Sequence, residues 1–133
     1  MTRAEIQALL SRELPARIPG LAAAYLFGSV ARGTDTERSD VDVGLVYEAP
    51  IPSTLEAQPF LVAGDLEDLL GRPVDLVVLE TAPVDLVHRV LRDGILAFEG
   101  NRSRRIAFEV RARNQYFDLL PYLLRYRREV VPP

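Results

Sequence analysis

The chain has no cysteine, no lysine and one histidine, His88. Without cysteine there is no disulfide and no zinc–thiolate centre, and a reducing compartment is tolerated. His88 stands in mid-helix among apolar residues, far along the chain from the acids discussed below, and reads as a surface or packing residue. No apolar run at the N-terminus is long enough for a signal peptide, and none elsewhere could span a bilayer. These absences point to a soluble, cytoplasmic protein. At 133 residues the chain suits a single domain, residues 1–133, with a modest core and no second substrate-binding domain.

The composition, 48% hydrophobic, is that of an ordinary globular protein. A net charge of −3 argues against non-specific nucleic-acid binding by the whole surface. The charge is unevenly placed. Residues 1–100 carry a balance of −8 and residues 101–133 a balance of +5. The basic tail is either a solvated helix face or a contact for phosphates or an acidic partner.

The stretch that organises the chain is Phe27–Glu48, FGSVARGTDTERSDVDVGLVYE. It reads as a strand end, a Gly-Ser turn, a short helix carrying Arg32, and a strand that opens on Asp40 and Asp42. Strand side chains at i and i+2 leave one face, so both carboxylates point the same way while Val41, Val43 and Leu45 face the core. Paired carboxylates repel unless a positive charge lies between them. A divalent cation answers this, and hard oxygen ligands suit magnesium or manganese. Gly28 lets the backbone approach a ligand or take a positive φ. Ser29 offers a hydroxyl where helix-start amides favour phosphate, and Arg32 and Arg38 add positive charge. Gly44, on the aspartate face, is expected to leave room for a bulky ligand. The whole reads as a metal site beside a phosphate site.

Around it the pattern predicts a helix over 2–14, N-capped by Thr2 with Glu5 three residues on and ended by Pro15, Pro19 and Gly20. A buried strand follows from Leu21 to Phe27. After a break at 49–53, Ser53 or Thr54 opens a helix to Leu70, with Leu55, Phe60, Leu61, Leu66, Leu69 and Leu70 on its buried side and Gly71 as C-cap. Residues 73–80 read as an interior strand. Asp75 is the odd acid in it, a candidate third metal ligand or the base that activates a nucleophile. A helix over 84–92 stops at Asp93-Gly94 and leads into an edge strand over 95–100. Asn101 caps a long last helix in which Ile106, Val110, Phe117, Leu120 and Leu124 recur at helical spacing, with a kink or restart at Pro121.

The joint pattern Gly28-Ser29-Val30-Ala31-Arg32-Gly33, then Ser39-Asp40-Val41-Asp42, then an acid in a later strand, resembles the minimal nucleotidyltransferases of the polymerase-β-like superfamily. The resemblance covers the whole chain. It implies an α+β fold, with a small mixed sheet of about four strands flanked by helices and a long C-terminal helix. It implies that Asp40, Asp42 and Asp75 bind two magnesium ions and serve catalysis, while Gly28, Ser29 and Arg32, with Arg38, hold the triphosphate of ATP. An acceptor hydroxyl would take the nucleotidyl group as pyrophosphate leaves. Many such small proteins are similar to antitoxins of HEPN/MNT, type VII-like toxin–antitoxin pairs, which adenylylate a tyrosine of a HEPN ribonuclease toxin. The basic last helix is then a reasonable docking surface. Two other functions fit the sequence: a non-catalytic antitoxin that acts by binding, and a nucleotidyltransferase acting on a small molecule or an RNA end.

Overall fold

The computed structural model describes residues 1–49 and 58–130. Its elements are α1 (Arg3–Arg17), β1 (Leu21–Phe27), α2 (Gly28–Arg32), β2 (Val41–Tyr47), α3 (Gln58–Leu70), β3 (Val74–Val78), α4 (Val84–Asp93), β4 (Ile95–Glu99) and α5 (Arg102–Val130). A 3-10 turn at Leu79–Thr81 joins β3 to α4. The strands form one mixed sheet in the order β3-β2-β1-β4. β1 runs antiparallel to β2 and β4, whereas β2 and β3 are parallel. This is the α+β architecture expected from the sequence.

The period of two along the strands divides the core between the sheet's two faces. Val41, Val43 and Leu45 of β2 join Leu26 of β1 and meet Ile6, Leu10 and Leu14 of α1 and Val62 and Leu66 of α3. Val46 of β2 and Tyr25 of β1 point the other way, to Leu79, Val87 and Val90 of the α4 side and Phe108 and Ala112 of α5. Each fully buried Leu or Ile of α1 contributes about 1.5–3 kcal/mol over an exposed one.

Local chemistry explains most element boundaries. Thr2 and Glu5 form a reciprocal capping box, Glu5 N donating to Thr2 Oγ1 at 3.1 Å and Thr2 N to Glu5 Oε1 at 3.2 Å. α1 runs on through Pro15 to Arg17, past the expected stop. Pro15 and Ser11, whose carbonyl loses its donor, are both exposed, so that carbonyl can bond water. Gly71 ends α3 with φ 69°, its amide donating to Glu67 O at 2.8 Å.

Four further expectations are corrected. β3 is an edge strand paired with β2 alone; it reads as interior because α3 packs on it, and only Val74 of it is buried. On α3, Phe60, Leu61 and Leu69 are exposed, Phe60 to 83%. Leu66 and Leu70 are buried as expected, and Val62 joins them, so the apolar positions run around the helix and only one arc of them finds the sheet. Ser53, Thr54 and Leu55 lie outside the described residues. On α5 the stripe Ile106, Val110, Phe117 and Leu124 faces solvent, and Phe108 and Ala112 are the buried residues. No restart occurs at Pro121, which lies inside one helix; it and Phe117, whose carbonyl loses its donor, are both exposed. Among the described residues no helix is long and apolar enough to cross a membrane.

Candidate active site

The register of the sheet assembles the site. Asp42 lies opposite Phe27 at the end of β1 and opposite Asp75 on β3. Parallel partners in register project to the same face, so Asp42 and Asp75 share one. Asp40 stands two residues before Asp42, just ahead of β2. Asp40 and Asp75 are exposed and Asp42 half-buried. Burial, reinforced by the charges of Asp75 and Asp40 and only partly offset by Arg32, pushes the Asp42 carboxyl up to about 6. Asp42 thus senses both of the other carboxylates.

β1 hands the chain to α2 at Gly28. Gly28 has φ 73°, and a Cβ there would collide with the Asp42 carboxylate. Ser29 is half-buried in the first turn of α2, and Phe27 caps that turn without a side-chain bond. Its leading amides therefore have no side-chain acceptor of their own. Gly33 closes α2 with φ 75°, and Arg3 Nη1 donates to Ala31 O at 3.1 Å, tying α2 to α1.

The turn before Asp40 is braced from β3's side. Arg72, its side chain only 9% exposed, donates from Nε to Ser39 O at 3.1 Å. Its Nη2 lies 3.1 Å from Asp35 Oδ2, a charge contact and not an aligned hydrogen bond. Within the turn, Thr36 N donates to Ser39 Oγ at 2.8 Å, and the Arg38 amide donates to Thr36 Oγ1 at 3.3 Å. Arg38 itself is exposed. Arg72 gave no signal in the sequence, because its role depends on the β2–β3 junction and no motif spacing marks it.

Gly44 does not leave ligand space. Leu79 fills it, with both δ-methyls 2.9 Å from where a Cβ would stand. The 3-10 turn after β3 folds this leucine back across β2, a long-range contact invisible in the local pattern.

On the other side of the Gly-Ser turn α4 forms a wall. Leu86, Arg89, Val90 and Asp93, at helical spacing, join Phe27, Gly28, Arg32 and Arg92 around a cavity of about 350 Å³. Arg92 is engaged with Asp93 through Nε and Nη2 at 2.9 and 2.8 Å. Arg89 and Arg32 are the other two cations of the cavity, and Arg38 does not line it. Sequence reasoning missed Arg89; its i, i+3, i+4, i+7 arc with Leu86, Val90 and Asp93 was the available signal. His88 turns away from this cavity and stacks on Tyr116 of α5, ring centroids 3.5 Å apart. It is a packing residue.

Among the described residues no group of three or more acid, histidine or cysteine side chains is arranged to hold a metal ion by itself. The chain offers an open set of hard oxygens, mutually repelling and facing solvent, to which a nucleotide's phosphates could add the missing ligands. This donor chemistry fits magnesium.

A mixed sheet with paired aspartates at the head of β2, a third acid across on β3 and a Gly-Ser turn packed on them defines a nucleotidyltransferase. The family model for polymerase beta nucleotidyltransferases matches residues 7–103, and the chain belongs to that family. Protein adenylyltransferase MntA of Thermococcus cleftensis is 37% identical over 97 residues, covering 70% of this chain and 93% of that protein. A toxin–antitoxin crystal structure with AMP-PNP superposes with a TM-score of 0.81 at 25% identity, covering 95% of this chain and 98% of the other. The MNT antitoxin in complex with a tri-AMPylated HEPN toxin of Shewanella oneidensis shares the fold, with a TM-score of 0.78 at 22% identity over 98% of this chain and all of that one.

Proposed function

We propose that the chain is a cytoplasmic single-domain protein adenylyltransferase that transfers AMP from ATP to a hydroxyl of a HEPN toxin, a tyrosine by preference, and so acts as its antitoxin. The observation that carries this reading is the register that pairs Asp42 on β2 with Asp75 on β3, with Asp40 two residues ahead of Asp42 and Gly28 stripped of a side chain to admit Asp42. A purely structural role would not keep mutually repelling acids together, because the half-buried Asp42 loses stability by it. The relative named adenylyltransferase and the toxin–antitoxin structure with AMP-PNP support the substrate and the kind of partner.

Ser29 and the leading amides of α2 bind the β- and γ-phosphates of ATP, and Arg32 and Arg89 neutralise them from the cavity side. Asp40, Asp42 and Asp75 would hold two magnesium ions, which screen the triphosphate and the charge that develops on the attacking and leaving oxygens. Asp75, exposed at the rim, takes the proton from the acceptor hydroxyl. The acceptor oxygen forms a bond to the α-phosphorus, the bond from that phosphorus to the bridging oxygen of the β-phosphate breaks, and pyrophosphate leaves with the electron pair. Gly28 and Arg72 set where Asp42 and Asp40 stand.

Incubating the protein and its toxin with ATP labelled at the α- or the γ-phosphate tests this reading. Label from the α-position should stay on the toxin and label from the γ-position should leave in pyrophosphate. Transfer of the γ-label would make the protein a kinase and overturn the proposal.

A further inference from the structure

The largest unexplained feature lies outside the site, on α5. This helix of 29 residues is about 43 Å long, yet none of its described side chains beyond Ala112 is buried. A segment of that length, with a proline in it, gains little from intrinsic propensity alone and normally needs a packed face. Among the described residues the packed face of α5 ends at Ala112 and the Tyr116–His88 stack, and Phe117, Leu119, Tyr122, Leu124 and Tyr126 are exposed to between 36 and 65%.

Four of the seven exposed large apolar residues of α5 fall on one line, and Leu119, Tyr122 and Tyr126 lie off it. Ile106, Val110, Phe117, Leu120 and Leu124, with Arg113 and Arg127, follow one another at alternating steps of four and three residues. That is the seam of a helix that packs along another helix. From Ile106 to Leu124 the seam is about 27 Å long, continuous along one side of the helix. Arginines border it: Arg102, Arg111, Arg125 and Arg128 are all exposed. Arg104 and Arg105 are spent inside, on Tyr47 O at 2.9 Å and Glu99 at 2.7 Å. Glu109, a potential counter-charge, is taken by Tyr25 and Arg105 at 2.7 and 3.1 Å.

Building on the function proposed above, we infer that the α5 seam is the docking surface for the toxin, and that it receives a toxin helix with an apolar stripe flanked by acidic residues. Charge selects this occupant over a second copy. Two α5 seams laid together would place arginine-rich borders against each other, a like-charge contact. Acidic flanks on the partner complement them. The seam lies on α5 and the aspartates at β2 and β3, so docking on the seam uses none of the acids.

The test uses the full chain and its toxin. Phe117→Glu and Leu124→Glu place charge in the seam at exposed positions, and Phe60→Glu on α3, more exposed than either, is the control. Affinity for the toxin is read by titration calorimetry, AMP-PNP binding reports the nucleotide site, and thermal melting reports the fold. The two seam variants should lose at least 100-fold in toxin affinity, with AMP-PNP binding and melting unchanged, and Phe60→Glu should bind toxin as the wild type does. Arg125→Glu with Arg128→Glu should cost about tenfold at low salt and less at high salt. Wild-type affinity in Phe117→Glu overturns the inference. So does a wild-type chain that is a dimer in solution and becomes a monomer with that substitution, since a second copy then covers the seam. If the seam variants release the toxin but the wild type never adenylylates it, docking stands and the catalytic reading falls. If Phe117→Glu both binds and modifies the toxin normally, docking falls and catalysis stands.

Discussion

Gly28 and Asp42 occupy one another's space: the side chain that Gly28 lacks would stand where the Asp42 carboxylate is. The positive φ of 73° at Gly28 is the second reason for glycine there. Gly28→Ala should therefore be doubly damaging. The strained backbone costs about 1–3 kcal/mol, and the methyl displaces a catalytic acid. We expect a lowered melting temperature and almost no transfer, with Gly33→Ala, also at positive φ but with nothing within 4 Å, losing stability alone. Equal activity in the two variants would show that the contact with Asp42 is unimportant.

Asp42 gives a pH prediction. In metal-free protein its carboxyl is held up at about 6 by burial first, then by Asp75 and Asp40. A carboxyl raised in the folded state keeps its proton where the unfolded chain has lost it, so this group favours folding at low pH. That contribution fades as pH rises from about 4 to about 6. Stability should fall across this window, and Asp75→Asn should lower the Asp42 pKa and flatten the fall. Carboxyl carbon chemical shifts followed against pH measure both. Asp42→Asn should melt higher than wild type at pH 7, by about 1 kcal/mol after discounting for partial exposure, while losing transfer.

Arg72 is a positioning residue. Its hydrogen bond to Ser39 O and its charge contact with Asp35 fix the turn that presents Asp40. Arg72→Ala should cost about 1–3 kcal/mol and lower kcat with little change in the KM for ATP. A change confined to melting temperature would leave Arg72 a structural residue only.

Arg89, with Arg32, faces the cavity beside the Gly-Ser turn. If it neutralises the triphosphate, Arg89→Gln should raise the dissociation constant for AMP-PNP by about tenfold, the worth of one charged hydrogen bond. Inhibition by tripolyphosphate should weaken in parallel, and inhibition by AMP should not. Unchanged tripolyphosphate inhibition would remove Arg89 from the site.

What the sequence made legible follows from range. The capping box of Thr2 and Glu5 is local and stands where the pattern put it, whereas β2 opens at Val41 and leaves Asp40 just ahead of the strand that was expected to carry both aspartates. Asp75 could be singled out as an acid in an apolar strand, but its partnership with Asp42 exists only through the parallel register of β2 and β3. Contacts that close over long loops were not legible. Leu79 folding onto Gly44 and Arg72 reaching Ser39 and Asp35 leave no periodic trace, and the arc that carries Arg89 does not say that it faces Gly28. Apolar residues on α3 and α5 misled for another reason. Periodicity reports that a face is apolar and not what covers it, and Phe60 and the α5 seam are covered by nothing within the described residues.

The most direct test of the central claim is the intact mass of the toxin after incubation with ATP, magnesium and either wild-type protein or Asp42→Ala. The account predicts that the toxin gains the mass of one or more AMP groups with the wild type and none with the variant, although both proteins fold and both bind toxin. Unmodified toxin in a stable complex with the wild type, or equal modification by Asp42→Ala, would contradict it.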